Sequence, residues 1–522
     1  MASLNAQNWA LGTRLAAHLL RRCSYHYTRD RIDALSQLTA PQAVADILQA
    51  MPSPTVAGPP TITKANTLGW WMYEALQDTT IHHKMTFFLH TLFVVDFQQD
   101  QEFNFQHLRL LDFYSLGNVK EFAKKMCLDN RMVVYLDSDS SNSGNPNENF
   151  AREFLELFTI GKGNQVGPGD YTNYTEHDVQ QAARIFTGLR KDDSLSILDA
   201  DTGIPRASID FSSHDTGDKT FSSAFGGAVI TGASSESDVI REISDFVEMV
   251  FAQDETAKRI CRRIYRFFVS PTLSDEVETD IITPLASALK SGNYELQPIF
   301  STLLSSIHFN DQDDANNRDE MVGVMFKSPL DLVLQTLSFF KVPIPDPVSD
   351  ATNHYTTFFE ESVQKIMFEP AGLFLFEPEL VAGYPAYYQG PDYSRIWFKT
   401  SSVAPRYQVA EMLTTGTKVS ETGGMGGPIL DMVAYVSHPS HISDPSNAYR
   451  IATELLLYVF AEYPQTDRFD YFLHTVFLNQ IDPENWTREW EDYQSSGDAT
   501  EVNIQLNTLI TALIASPEYQ LL

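Results

Sequence analysis

The sequence predicts a mainly α, multi-helix globular protein with a small antiparallel β excursion around residues 192–232. Three observations carry that prediction. Apolar residues recur at helical spacing along most of the chain. Helix-start chemistry stands at the head of several of those runs. Between Asp192 and Gly232 the pattern gives way to short β-branched and aromatic runs separated by Asp, Gly and Ser.

In chain order, Leu11 to Cys23 has the spacing of a first helix, and Thr39 with Pro41 just inside opens a second, short one. Pro52 to Pro60 (PSPTVAGPP) reads as an extended connector. Thr67 to Phe97 is an aromatic-rich helical region, and Gln106 to Met126 gives one or two helices more. Asn145 as N-cap, Pro146 in the first turn and Glu148 at the third position predict a helix start, with Phe150, Phe154, Leu157 and Phe158 on its apolar face. Thr175 and Asp178 form a capping-box pattern for a helix reaching about Gly188.

After the β excursion, helices are expected over Ser237 to Phe251, Thr256 to Val269 and Leu296 to Phe309. An acidic loop, Asn310 to Glu320, precedes a helix from Pro329 to Phe340 with Ser328 as its cap. Val342 to Gly427 reads as irregular and rich in Pro, Gly and aromatics, with Gly423, Gly424, Gly426 and Gly427 as a mobile loop. Ser446 to Leu522 is helical again. This divides the chain into a helical core over residues 1–430, carrying the β insertion, and a helical segment over 431–522 packed on it. No repeat of solenoid period is present.

Composition excludes several partners. The 522 residues carry 37 Lys+Arg against 68 Asp+Glu, a net charge of −31 that repels phosphate backbones and anionic lipid surfaces. Cys23, Cys127 and Cys261 are too few and too scattered for a disulfide scaffold or a structural zinc site. The apolar patch near the N-terminus is interrupted by Arg14 and His18, so no export signal is visible. The longest apolar stretch, Met85 to Phe97, is far short of the roughly 20 residues of a membrane-spanning helix, so no transmembrane segment is expected.

Three constellations can carry chemistry. Asp137, Asp139, Ser141, Asn145 and Glu148 occupy positions one, three, five, nine and twelve of a calcium loop. Asn142 stands where such a loop wants glycine, and Gly144 where it wants an apolar residue. Two readings stay open: a bound Ca2+, or a Ser/Asn-rich turn held by its own side chains. In HDTGDK, the side chains of His214, Asp215 and Lys219 would supply a base, a metal ligand and an anion-binding ammonium, or simply form a turn. Glu153 or Arg152 would complete such a site, although an Arg flanked by carboxylates also suits an ion-pair network. His83 and His90 share a helical face and either approach a common metal or pack against aromatics. The signatures HExxH, GxSxG, GxxxxGK[ST] and GxGxxG are absent.

The segments PNENFAREFLELFTIGKG (Pro146 to Gly163), YTEHDVQQAARIFTGL (Tyr174 to Leu189) and HDTGDKTF (His214 to Phe221) resemble the bacterial domain-of-unknown-function 1800 family. AAHLLRR, KMTFFLHTLF, RRIYRFFVS, FKSPLDLVL and ASPEYQ follow in family order, so the resemblance covers nearly the whole chain. Leu92 replaces one family histidine, and Gly383-Tyr384 replaces a Gly-Trp pair. The resemblance implies a largely helical protein of the cell envelope or exterior. It also implies a partner of the domain-of-unknown-function 1501 type, which is similar to alkaline phosphatases. Two functions are therefore expected: a non-catalytic binding or assembly protein, in which the 12% aromatic content supplies interfaces, or a hydrolase of a phosphate or sulfate ester or a glycan centred on His214, Asp215 and Lys219.

Overall fold

Side-chain capping sets the boundaries of many helices. In the computed structural model, which describes residues 2–49, 58–313, 321–418, 425–426 and 429–522, the first helix is Gly12–Cys23. Gln42 Oε1 accepts the Thr39 N–H at the head of Ala40–Ile47. Thr175 and Asp178 close a reciprocal box on Glu176–Ile185, and Ser328 and Asp331 do the same on Pro329–Phe339. The aromatic region splits into Lys64–Gln77 and His82–Leu92. At the break, the Asp78 carboxylate accepts the N–H groups of Thr80 and His83, which offers the backbone an alternative to continuing the helix.

Most of the expected connector after Pro52, the acidic loop beyond Asp313, and Gly423, Gly424 and Gly427 lie outside the described residues. The stretch Val342 to Gly427 is less irregular than its composition suggests. It holds the π-helix Asn353–Phe368 and the helix Thr400–Thr415, which carries Pro405 inside it. A π-turn widens the repeat and takes apolar positions off the 3.6-residue pattern, and an internal proline reads as a breaker.

The β excursion consists of short antiparallel pairs. Leu189 and Arg190 face Ile209 and Ser208, while Lys219 and Thr220 face Ile230 and Val229. Longer ladders are replaced by turns on side chains: Asp192 accepts the N–H groups of Ser194, Ser196 and Ile197. Ser222 N–H donates to Asp178 Oδ1 at 2.7 Å, which seats the excursion on the Glu176–Ile185 helix.

One buried apolar cluster runs from Ala2 to Tyr519. At its centre, segments from both ends of the chain meet around buried cations. Lys84 pairs with Asp331. Arg21 donates to the carbonyl of Tyr458 at 2.9 Å, Arg22 to that of Met321 at 2.7 Å, and Arg406 to Lys327 O at 2.8 Å and Gln520 Oε1 at 2.9 Å. The Lys327 ammonium lies 3.9 Å from the centre of the Tyr519 ring. The chain end is stitched in by backbone: Lys327 N–H donates to Gln520 O and Leu522 N–H to Met325 O, both at 2.8 Å. No helix among the described residues is long and apolar enough to cross a membrane.

Candidate functional site

His214 follows the short 3-10 turn Phe211–Ser213, and Lys219 opens a strand. Both reach Glu242, on the buried face of the helix Glu236–Phe251 beside Val239, Ile243 and Phe246. Lys219 Nζ stands 2.6 Å and His214 Nε2 3.2 Å from Glu242 Oε2, and all three side chains are 0% exposed. The other His214 nitrogen, Nδ1, lies 2.8 Å from Thr187 O, and Lys219 also donates to Asp215 O at 2.5 Å. Burial pushes the Lys219 ammonium below its ordinary value, with Glu242 and Asp215 acting in the opposite direction. Glu242 Oε1 is buried with no hydrogen-bond partner among the described residues.

Asp215 turns away from this centre. Arg184 holds it through two bonds, Nε to Oδ2 at 2.8 Å and Nη2 to Oδ1 at 2.9 Å. Burial works against the ionised carboxyl, yet Arg184 and the Gly217 N–H keep it below the usual carboxylate range. The expected trio is thus divided: His214 and Lys219 converge on Glu242, while Asp215 belongs to Arg184.

Glu153 is not brought to the cluster. Burial and then Glu156 push its carboxyl up, with Arg152 and Lys162 opposing. Its helix and the Glu242 helix meet through Phe154 and Phe246, whose ring centroids are 5.2 Å apart. Arg152 bridges Glu148 at 2.8 Å and Glu176 at 2.6 Å, an ion-pair network. The side chains of His214, Lys219 and Glu242 have no solvent face, and together they clamp the β excursion to the Glu236–Phe251 helix.

The Asp137 loop is largely occupied by its own bonds. Ser141 Oγ accepts the Asn147 N–H at 3.0 Å, Asn142 Oδ1 accepts the Asn145 N–H at 3.1 Å, and Glu148 is held by Arg152. Among the described residues Asp137, at φ +57°, and Asp139 form no ion pair, and Asp139 is pushed up by burial and by Asp137. The helix starts at Asn149, three residues after Pro146, and its first N–H is taken by Asn147 Oδ1 at 2.9 Å. Asn145 does not cap it, because it stands four residues before Asn149, too far upstream for its side chain to serve the first turn. Among the described residues no group of three or more His, Cys, Asp or Glu is placed to hold a metal ion.

His83 and His90 have separate partners. His83 Nδ1 lies 2.8 Å from Asp78 Oδ2, whereas His90 Nε2 lies 2.9 Å from Val95 O and its ring 4.9 Å from that of Phe376.

Glu242 is the member of the cluster that sequence reasoning missed. Its signal is a single carboxylate within an apolar stripe, Val239, Glu242, Ile243 and Phe246, since a charge on the buried face of a helix needs a partner.

A family model described as "Protein of unknown function (DUF1800)" matches residues 18–521. No curated protein and no solved structure matches the chain.

Proposed function

The chain belongs to this family of unknown function, which matches it from residue 18 to 521, and on that premise we propose a non-catalytic binding and assembly protein of the bacterial cell envelope or exterior. It acts with a protein partner or with a second copy of itself. The observation that carries this reading is the sealing of His214, Lys219 and Glu242 at 0% exposure: the residues best suited to chemistry are spent on holding the fold. Exposed tyrosines supply contact area. Tyr449, Tyr463 and Tyr471 are 47%, 45% and 43% exposed, on or beside the helices that follow Asn447, and tyrosine is enriched at protein interfaces. The envelope location and the alkaline-phosphatase-like partner are supported by the family resemblance.

Purification at natural abundance, followed by light scattering on a sizing column, tests the reading. The protein should elute in a defined complex or oligomer, and Tyr471→Glu should dissociate it. A monomer at every concentration, with no copurifying protein, overturns the proposal.

A further inference from the structure

The helix Asp254–Phe268 carries four arginines with two different fates. Arg262 is paired with Glu255 and Glu278 at 2.5 and 2.6 Å. Arg259, Arg263 and Arg266 follow i, i+4, i+7 spacing on one face, and together they line a cleft of about 140 Å3. Thr91, Leu157, Phe158, Val381 and Tyr388 contribute to its other walls. The Leu157 and Phe158 wall belongs to the π-helix Phe154–Phe158, a distortion that recurs at functional sites.

Each guanidinium is positioned, and none is neutralised. Arg259 Nη2 donates to Leu157 O at 3.0 Å, and Arg263 Nη2 donates to Thr91 O. Arg266 lies 4.9 Å from the centre of the Tyr393 ring, and its buried Nε has no hydrogen-bond partner among the described residues. Gly161, at φ +76°, makes room for this arrangement, because a Cβ there would stand 2.6 Å from Arg259 Nη1. Among the described residues, none of the three forms an ion pair. The carboxylates whose fields reach them are engaged elsewhere: Glu156 with Lys162, and Glu255 and Glu278 with Arg262. Burial and then the neighbouring Arg259 and Arg266 push Arg263 down to about 9. In a chain of net charge −31, three arginines gathered without a counter-charge are a costly arrangement that an anion would relieve.

We propose that this cleft binds a tetrahedral oxyanion, the phosphoryl or sulfuryl group of a ligand, held by Arg259, Arg263 and Arg266. Guanidinium forks match such oxygens in geometry and charge. The small volume accepts the oxyanion and little of its substituent, and the apolar side chains of Leu157, Phe158 and Val381 meet the first carbons of that substituent. The inference goes beyond the assembly reading and does not depend on it.

Titration calorimetry on the full chain tests it, with inorganic phosphate, sulfate, acetate and chloride as probes at matched ionic strength. Phosphate and sulfate should bind, and acetate and chloride should not. Arg266→Gln should weaken phosphate binding by about tenfold or more, the loss expected for one charge-assisted contact. Arg488→Gln, on an exposed arginine outside the cleft, should leave it unchanged. Independently of any variant, phosphate should protect Arg259, Arg263 and Arg266 from phenylglyoxal and leave Arg488, 67% exposed, reactive. Indifferent binding of all four anions, or equal modification with and without phosphate, overturns the site; neither result bears on oligomeric state, so the two proposals fail separately.

Discussion

The Lys219 ammonium and the Glu242 carboxylate meet at 2.6 Å with neither side chain reaching solvent. A pair placed this way is worth little against a well-packed apolar replacement, but removing one partner strands a buried charge. Glu242→Ala should therefore cost about 3–5 kcal/mol in urea unfolding at neutral pH. The double variant Lys219→Met/Glu242→Leu should lose much less than the sum of the two single changes. Additive losses would show that the two groups are not coupled.

His90 gives the fold an acid sensitivity of known sign. Burial pushes its imidazole down to about 3, with His107 adding to the effect, against 6.5 in the unfolded chain. As pH falls below about 6.5 the unfolded state takes up a proton that the folded state refuses. Stability is then lost from about pH 6.5 to about pH 3, amounting to about 3 kcal/mol by pH 4 from this group. His90→Gln should flatten that part of the pH profile, measured as the difference between parent and variant. Identical slopes would exclude His90 as the source.

The Asn149 helix start separates two neighbouring asparagines. Asn147 Oδ1 takes the Asn149 N–H at 2.9 Å, so Asn147→Ala should cost about 1 kcal/mol, the usual worth of a cap. Asn145→Ala should cost less, because the Asn145 contribution to the turn is made by its backbone. Denaturant midpoints in the reverse order would restore Asn145 as the cap.

If the Asp137 loop takes calcium at all, it should do so weakly, in the range of about 10⁻⁴–10⁻³ M found for low-affinity sites. Asp137 and Asp139 have no ion-pair partner among the described residues, but Arg152 holds Glu148 at 2.8 Å. Arg152→Met frees that carboxylate and should tighten calcium binding in a calorimetric titration. Absence of calcium binding by both proteins would leave the loop a self-held turn.

Signals confined to a few residues were legible in the sequence. The Thr175–Asp178 box and the Ser328 cap stand where the residues put them, because a cap is decided within one helical turn. The β excursion was visible as composition, while the shortness of its strands was not, since Asp192 competes for the backbone through its own side chain. At the site, His214 and Lys219 could be picked out, but their partner could not. Glu242 lies 28 and 23 residues away, and only the packing of its helix brings it to them. The three cleft arginines were read as part of a helical run, and what sets them apart, the lack of a carboxylate, is a property of the folded neighbourhood.

The pairing of Leu522 with Met325 and of Gln520 with Lys327 makes the segment around Tyr519 a plug for the centre. The Lys327 ammonium faces the Tyr519 ring, and Arg406 reaches the Gln520 side chain. Two buried cations that lie far apart in sequence thus depend on the same short stretch of chain, and a substitution there would be felt at both at once.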